Sequence, residues 1–477
     1  MNGKELALAA IDQKEKQILA LSDEIWGYAE LSLKEYKSAA AYVKLLGELG
    51  FTVTEKLCGL DTAFCGSYGH GRPVIGILGE FDALSGLSQK GGLAYKEELV
   101  PGANGHGCGH NMLGAGALAA AVGVKAYLEQ TGVSGTVIFY GCPGEEGGAG
   151  KALMAREGLW KELDCAITWH PGDCNEIATG TCNSCIQTLY KFHGVASHAA
   201  GDPEDGRSAL DAVELMNVGV QYLREHVKPD ARIHYAMVNS GGLSPNVVQA
   251  EASVLYMVRS CLVKDANALQ KRVDRIAEGA AMMTETTLEK IFIDGCSGTV
   301  PNHGLEKLCY ENMQAIPCPT FTEEEWKLAD EIKKTYTAPL LPSLAASVDP
   351  AAADWIREKT QNGTRSLNDF VAPLWQGEFF SAGSTDVGDV SWLTPAVQVY
   401  TACFPSGSPG HSWQNVSFAK SSVGHKSLLY AGKVMAASAV ELFENPARLA
   451  EIRAEFEKAA AAGYDCPIPA GETIKAL

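Results

Sequence analysis

The sequence predicts an α/β protein in which a discontinuous, doubly wound domain carries an inserted ferredoxin-like α+β domain. In the first third of the chain, short apolar β-rich segments alternate with helical patterns, which is typical of a doubly wound sheet. Near residue 185 the pattern changes to the order β-α-β-β-α-β, which is that of a ferredoxin-like unit. Patterns of the first kind resume after about residue 300.

We therefore predict that residues 1–184 and 301–477 form the first domain and that residues 185–300 form the insert. The length of 477 residues supports this division, because a single hydrophobic core of that size is unusual. The helical pattern at 301–315 belongs to the resumed domain. The segment 316–378, which contains several prolines and alanines, gives no clear pattern of helix or strand.

Composition excludes some classes of function. Hydrophobic residues make up 46% of the chain and charged residues 20%, as in a globular protein. The formal net charge of -18 argues against binding to nucleic acid or to an anionic membrane. The 14 cysteines follow no basic and apolar leader, so we expect reduced thiols and a cytoplasmic location. The apolar stretch 112–124 is shorter than the roughly 20 residues of a membrane span and predicts a buried helix.

Three apolar strands lead into acidic or imidazole side chains. PVIGILGEF is followed by Asp82, GTVIFYGC leads to the pair Glu145 and Glu146, and CAITWHP contains His170. Open α/β sheets build their sites at the carboxyl ends of such strands. We therefore expect these side chains to converge.

The glycine-rich stretch NGHGCGHN, residues 104–111, places His106, Cys108 and His110 at alternate positions. Thiolate and imidazole are strong ligands for a borderline divalent cation. In an extended segment alternate side chains share a face, so Cys108 and His110 can converge on one point. The alternative is a glycine-rich turn with a buried thiol. His106 is expected to support the site or to be merely structural, rather than to bind metal.

A metal centre can be assembled from these strand ends and a late loop, GSPGHSWQ. Five protein ligands suit two ions better than one tetrahedral ion. Glu145 and Glu146 are neighbours, so an extended backbone would point them to opposite sides. One would then bind metal while the other moves protons; an exposed turn is the alternative. Asp82 suits the support of a ligand histidine, or else a strand-end turn. The predicted ligands are Cys108, His110, Glu146, His170 and His411.

The motifs GEFDAL, HGCGHN, GEEGG, TWHP, GVASHAA, NVVQAEASVLYMVR and HSW resemble, in order, those of the dimetal amidohydrolase and carboxypeptidase family. Its members include carboxypeptidase G, hippurate hydrolase and the plant auxin–amino-acid hydrolases. The resemblance covers nearly the whole chain. It implies that the five residues above hold two divalent ions per subunit, that Glu145 is the catalytic base, and that Asp82 is the acid behind the metal.

The resemblance also assigns roles to the insert, as a lid and dimerisation domain. His198 resembles the histidine that reaches into the site of a second subunit and polarises the scissile carbonyl, while Asn246 and Arg259 resemble positions that hold the substrate's carboxylate. The chain departs from the family in having Asn111 where an aspartate is usual and Glu80 where Asp-Met-Asp begins. Glu80 is compatible with a purely structural role.

The implied activity is metal-dependent hydrolysis of the amide that joins an aryl acyl group to an amino acid such as glutamate. The ions would be Zn²⁺, which thiolate and imidazole favour, or Mn²⁺, which the resembled subgroup often uses. The implied partner is a second subunit, identical or related. Two alternatives stay open: a dipeptidase or broad N-acyl-amino-acid amidohydrolase, and a non-catalytic assembly subunit.

Overall fold

The computed structural model describes residues 1–337, 341–377 and 379–476. The chain divides into two compact units. Unit 1 comprises Met1–Gly180, Val300–Phe379 and Val390–Tyr464, and unit 2 comprises Thr181–Thr299, Phe380–Asp389 and Asp465–Leu477.

Unit 1 begins with two helices and then alternates strands with helices. Its first part contains α1 (Gly3–Tyr28), α2 (Tyr36–Glu48), β1 (Thr52–Glu55), β2 (Phe64–His70), β3 (Val74–Gly79), α3 (His110–Thr131), β4 (Gly135–Gly141), α4 (Gly150–Arg156), β5 (Cys165–Gly172) and β6 (Glu176–Ile177).

Unit 2 interrupts unit 1 after β6. It contains β7 (Thr181–Cys182), β8 (Ser184–His193), α5 (Ala209–Leu223), β9 (Arg232–Asn239), β10 (Glu251–Ser260), α6 (Val263–Thr284) and β11 (Thr287–Cys296). The later elements are α7 (His303–Ala315), α8 (Glu323–Lys333), α9 (Pro350–Lys359), β12 (Phe380–Ser381), α10 (Val387–Ser391), β13 (Ala396–Ala402), α11 (Trp413–Phe418), α12 (Ser422–Glu444) and α13 (Pro446–Ala459).

In the described residues, unit 1 is organised around a seven-stranded sheet in the order β1-β2-β4-β3-β5-β13-β6. The central strands β4, β3, β5 and β13 are parallel, and the outer strands β2 and β6 pair antiparallel with them. The carboxyl ends of the parallel strands therefore meet at one edge, which confirms the predicted α/β class.

The sheet is covered on both faces, as a doubly wound fold requires. Along β3, Ile75 and Ile77 face a core built with α1, α3 and α12, whereas Leu78 faces a smaller core with Trp160. Side chains alternate between the faces of a strand, and this explains why the central strands are apolar at nearly every position.

Helix α3 runs through the larger core. Gly116 permits a close approach here, because a β-carbon at this position would lie 2.7 Å from Trp169. The Trp169 indole donates a hydrogen bond to the Leu113 carbonyl at 2.7 Å. By length and composition α3 could cross a membrane, and 89% of its most apolar window is buried inside the protein. The helix extends beyond the apolar stretch 112–124 at both ends, and the prediction that it is buried is confirmed.

Unit 2 contains a four-stranded antiparallel sheet in the order β11-β8-β10-β9. Helices α5 and α6 pack on one face of this sheet, around Tyr190, Tyr256 and Val213. The element order β8-α5-β9-β10-α6-β11 is the predicted ferredoxin-like arrangement.

The limits of unit 2 differ from the predicted 185–300 insert. Residues 380–389 and 465–477, which were predicted to lie in the first domain, belong to unit 2. Strand β12 pairs with β7, and Asp389 accepts hydrogen bonds from the amide and hydroxyl of Ser297 at 3.0 and 2.8 Å. The Lys475 amide donates to the Ile293 carbonyl at 2.9 Å. These long-range pairings leave no local signal in the sequence.

The segment 316–378 contains α8 and α9, and its residues 338–340 and 378 lie outside the described residues. Glu176 of β6 fixes part of it. The carboxylate accepts hydrogen bonds from the Leu344 amide at 2.9 Å and from the Ser343 hydroxyl at 2.7 Å. Burial, with a smaller contribution from Asp173, raises the pKa of Glu176 to about 7.

This raised pKa predicts a pH-dependent stability that Glu176→Gln should reduce. Because the folded-state pKa lies above the ordinary 4.5, the native state binds the proton more tightly and loses stability as pH rises from about 5 to 8. Glutamine keeps an acceptor and has no charge to bury. We expect it to remove up to about 3 kcal/mol of that loss, measured by urea unfolding at pH 5 and pH 8.

The matched control is Glu325→Gln, another buried carboxylate of unit 1, whose pKa is lowered because its pairing with Lys426 outweighs burial, so its neutralisation should not reduce the loss of stability. An unchanged difference between the two pH values in Glu176→Gln would contradict the prediction.

Candidate metal centre

The predicted ligands of unit 1 converge at the carboxyl edge of the large sheet. Asp82 follows β3, the Glu145–Glu146 pair follows β4, and His170 lies near the end of β5. His411 comes from the loop between β13 and α11. Its backbone is in the left-handed region, at φ 50°, which residues other than glycine rarely adopt.

Cys108 and His110 reach the centre from a bend rather than from an extended segment. Gly109 caps α3 with φ 82°, a conformation that a β-carbon disfavours, and His110 is the first residue of the helix. The two side chains do converge as predicted, but a sharp turn into a helix brings them together in place of strand alternation.

Two triads of possible ligand atoms share the Cys108 thiol. The first joins Cys108 to His110 and His170, and the second joins it to Glu146 and His411, with ligand atoms within 4.8 Å of one another in each triad. The Cys108 Sγ lies 3.3 Å from His170 Nε2, and Glu146 Oε2 lies 3.5 Å from His411 Nε2. The structure thus brings together all five residues predicted as ligands.

Asp82 supports His110 from behind. Its Oδ1 lies 2.8 Å from His110 Nδ1, while Oδ2 accepts from the Ser32 hydroxyl at 2.7 Å and from the Glu146 amide at 2.9 Å. Burial alone would raise the pKa of Asp82, but the hydrogen bond and charge of His110 and the hydrogen bonds from Ser32 and the Glu146 amide together outweigh it and hold this pKa at about 2. An ionised Asp82 places the hydrogen of a neutral His110 on Nδ1 and leaves Nε2 as a lone pair.

Glu145 and Glu146 lie in a turn, residues 145–148, and not in an extended strand. The premise of an extended backbone was therefore wrong, although the two carboxylates do fall into different groups of possible ligand atoms. Glu146 belongs to one ligand triad, and Glu145 lies within 4.8 Å of His110 and Glu80. Buried Glu35, which the sequence analysis missed, anchors this turn by accepting a hydrogen bond from the Gly144 amide at 2.9 Å.

Several polar atoms in the centre lack a counter-group. Among the described residues, His110 Nε2 and Glu146 Oε1 are buried, have no hydrogen-bond partner and stand 4.0 Å apart. Burial alone would lower the pKa of His110, but Cys108 and Asp82 raise it well above its ordinary value. Burial and the Glu146 charge raise the pKa of the Cys108 thiol. Divalent cations would satisfy these acceptors and favour the thiolate, so the donor set fits metal.

His170 is held in a ligand orientation. Its Nδ1 lies 2.8 Å from the Pro171 carbonyl, which places the hydrogen there and leaves Nε2 facing Cys108. Burial and the neighbouring His110 lower the pKa of His170 to about 4. The Tyr400 ring stacks on the imidazole with centroids 5.5 Å apart. Tyr400 was missed because only the register of β13 against β5 brings it opposite His170.

His106 and Asn111 both have supporting roles. His106 Nε2 lies 3.1 Å from the Ile25 carbonyl, and His106 belongs to none of the ligand triads found among the described residues. The Asn111 amide nitrogen donates to the Ser22 hydroxyl at 3.2 Å and to the Ala419 carbonyl at 2.9 Å. An aspartate at this position could not donate these bonds, which accounts for the departure from the family pattern.

A buried ion pair next to His110 is a further feature that the sequence analysis missed. Glu80 and Lys151 are almost fully buried, and Lys151 Nζ lies 2.7 Å from Glu80 Oε1. The sequence feature that could have indicated this pair is the position of Lys151 as the second residue of α4, within the apolar pattern GKALMA.

In unit 2, His198 and Asn246 lie on two adjoining loops. The Ala199 amide donates to the Asn246 carbonyl at 3.0 Å. His198 is exposed, and its Nδ1 accepts hydrogen bonds from the amides of Ala200 and Gly201 at 3.2 and 2.9 Å. The hydrogen of the neutral imidazole must therefore be on Nε2, where it is available as a donor.

Arg259 lies near the opposite end of β10 from the Asn246 loop. Its guanidinium donates a hydrogen bond to the Ser384 hydroxyl at 2.6 Å. The structure therefore places Arg259 beside the 380–389 segment and not beside Asn246, so the two predicted carboxylate-binding residues do not form one cluster within the unit.

Comparisons with known proteins agree with this geometry. Residues 76–363 match the model of peptidase family M20/M25/M40. The chain is 44% identical to a p-aminobenzoyl-glutamate hydrolase subunit of Escherichia coli, over 98% of each chain. It is 26% identical to the Xaa-Arg dipeptidase of Mus musculus, over 95% of this chain and 92% of that protein.

Solved structures support the fold. A dinuclear metal binding peptidase of the M20 family from Bacillus subtilis matches with a TM-score of 0.53 at 17% identity, covering 91% of this chain and 99% of that one. The family match spans more than half of the chain, and the similarity to the E. coli subunit extends over nearly all of it. The chain belongs to peptidase family M20/M25/M40, and this confirms the family that its sequence motifs predict.

Proposed function

We propose that the chain hydrolyses the amide bond of an N-acyl amino acid, with p-aminobenzoyl-glutamate as the substrate and p-aminobenzoate and glutamate as the products. The observation that carries the proposal is the pair of ligand triads that share Cys108, with Glu145 next to them. The 44% identity to the E. coli hydrolase chain supports the choice of substrate.

Two divalent ions would be held by the two triads, with the Cys108 thiolate common to both. When bound, they supply Lewis acidity and lower the pKa of water. The ions are Zn²⁺ or Mn²⁺: the thiolate and the imidazoles favour zinc, while the carboxylate oxygens also suit manganese.

Glu145 acts as the general base. It lies near His110 yet outside the two triads that contain Cys108, so its carboxylate can accept the proton of the attacking water and later deliver it to the leaving amine. Asp82 holds His110 in the orientation that a ligand needs.

His198 and Arg259 act on the substrate. The Nε2 hydrogen of His198 can donate to the carbonyl oxygen of substrate bound by a second subunit, where it would stabilise developing negative charge. Arg259 makes one hydrogen bond to the described residues, which leaves guanidinium donors for a carboxylate. Because Asn246 lies beside His198 and not beside Arg259, its amide would contact the carboxylate of substrate bound by the second subunit.

Two alternatives keep the fold and change the activity. The similarity to a dipeptidase favours a dipeptidase or a broader N-acyl-amino-acid amidohydrolase. A non-catalytic assembly subunit is disfavoured by the presence of every expected ligand type and of Glu145. The cytoplasmic location and the absence of binding to nucleic acid or membrane remain predictions.

The test is turnover of the purified chain with Mn²⁺ or Zn²⁺ on p-aminobenzoyl-glutamate, hippurate and a dipeptide. We expect p-aminobenzoyl-glutamate to give the highest kcat/KM. Glu145→Gln should lower kcat by about 10²- to 10⁴-fold, because the base is lost, while metal content by elemental analysis stays at the wild-type value.

Glu306→Gln serves as the control, since it removes a buried carboxylate elsewhere in unit 1. A preference for the dipeptide would favour the first alternative. Metal binding without turnover on any substrate would favour the assembly subunit, and normal turnover by Glu145→Gln would refute the assigned mechanism.

We also propose that unit 2 forms a dimer through its β9 edge. Strand β9 is an edge of the four-stranded sheet and exposes Val238 at 56% and Met237 at 42%, and α5 exposes Tyr222 at 76%. An exposed edge with apolar side chains is suited to pairing with a second chain. The E. coli relative is itself one subunit of a hydrolase, which suggests that the second chain is a related one; a second copy is the other possibility.

Val238→Lys should weaken this association, because a lysine on an edge strand opposes pairing. We expect the wild-type chain, alone or co-expressed with a related subunit, to have the mass of a dimer by light scattering, and the variant to shift toward monomer. The control Val133→Lys changes an exposed valine of unit 1. A variant that remains fully dimeric would exclude this edge.

A further inference from the structure

The ion pair of Glu80 and Lys151 has no part in the proposed mechanism, although it adjoins the centre. Lys151 Nζ contacts Glu80 Oε1 at 2.7 Å, and the side chains of Lys151 and Glu80 are exposed by only 0% and 1%. A buried ion pair is seldom a source of stability, because desolvation offsets the attraction. Because Glu80 lies next to the predicted ligand His110, the pair is a candidate for a role in metal binding.

The second oxygen of Glu80 faces the centre. Glu80 Oε2 lies 3.4 Å from His110 Nε2, and within the described ranges neither atom has a hydrogen-bond partner. Asp82 holds the opposite side of the His110 ring, so Nε2 presents a lone pair in the neutral imidazole that metal binding requires. Glu146 Oε1 approaches the same nitrogen at 4.0 Å. Three acceptors that face one volume repel each other unless positive charge lies between them.

The distances fit shared coordination. Two ligand atoms that are each about 2.1 Å from one ion stand roughly 3.0 to 4.2 Å apart, depending on the angle between the bonds. Both separations from His110 Nε2 lie in this interval. Glu80, His110 and Glu145 also form a third group whose ligand atoms lie within 4.8 Å of one another.

We propose that Glu80 is a further metal ligand, whose Oε2 binds the same ion as His110 Nε2 while Lys151 holds Oε1 and keeps the carboxylate monodentate. The assignment rests on the proposed function, since it needs a metal at His110. It replaces the purely structural role that the sequence suggested for Glu80.

A carboxylate ligand changes the chemical character of this position. With Cys108, His110 and His170 alone, the donors are one thiolate and two imidazoles, which suit zinc. An oxygen from Glu80 makes the site more favourable for manganese, and Lys151 offsets the added negative charge. The ion pair would thus tune which metal binds.

The test is titration of the metal-free chain with Mn²⁺ and, separately, with Zn²⁺ by calorimetry. We expect two ions per wild-type chain. Because a lost ligand should cost at least as much as a lost supporting contact, Glu80→Gln should weaken one Mn²⁺ by about 100-fold or more, with a smaller loss for Zn²⁺ and no change at the other position. Glu306→Gln, a buried carboxylate remote in sequence, should bind as the wild type does.

Glu80→Asp provides a second variant in case glutamine prevents folding. It keeps the charge for Lys151 but withdraws the oxygen by one carbon, so Mn²⁺ should again bind more weakly. Wild-type affinities in both variants would overturn the assignment, and so would an equal loss at both positions with a lower Tm, which is what a structural role predicts. Failure of the wild-type chain to bind any ion would refute the proposed function, and this assignment with it.

Discussion

The hydrogen bond between His110 and Asp82 links the separate parts of unit 1 that meet at the candidate centre. Through Asp82, the start of α3 is joined to the loop after β3, to Ser32 and to the turn after β4. Removing one member of such a buried, charged pair typically costs about 3–5 kcal/mol, because the other charge is left without compensation. The placement of two predicted ligands depends on this connection, since it fixes both His110 and the amide of Glu146.

The sequence predicted those features that follow from repeating patterns. Apolar strands followed by acidic or imidazole residues indicated which side chains would meet, because parallel strands share one carboxyl edge. Asp82, Glu146 and His170 do meet there. The β-α-β-β-α-β order likewise predicted the ferredoxin-like sheet of unit 2, and its first limit falls within four residues of the predicted one. In each case the signal was local and extended over several elements.

The remaining features depend on contacts between distant residues or on the conformation of single turns. The glycines near Cys108 indicate that the backbone turns there, but they do not specify the conformation of the turn. The convergence of Cys108 and His110 was therefore predicted correctly, although the reason given for it, alternation along an extended strand, was wrong. The same assumption was applied to Glu145 and Glu146, which lie in a turn. The buried pairing of Lys151 with Glu80 could not be predicted, because a lone lysine in a helix is usually solvated. The pairing of 465–476 with unit 2 could not be predicted, because it joins residues nearly two hundred positions apart.

The return of the tail to unit 2 has a consequence for biosynthesis. The Lys475 amide and ammonium group donate hydrogen bonds to the carbonyls of Ile293 and Phe292 in β11. Strand β7 likewise pairs with β12, which is synthesised about two hundred residues later. During translation, neither unit can therefore complete its fold before the late segments of the chain have been synthesised. A nascent chain that has passed residue 299 has made the insert's main sheet but still lacks two of its segments. Folding intermediates with exposed strand edges are prone to aggregate, so we expect this protein to depend on chaperones more than a chain with a contiguous insert would.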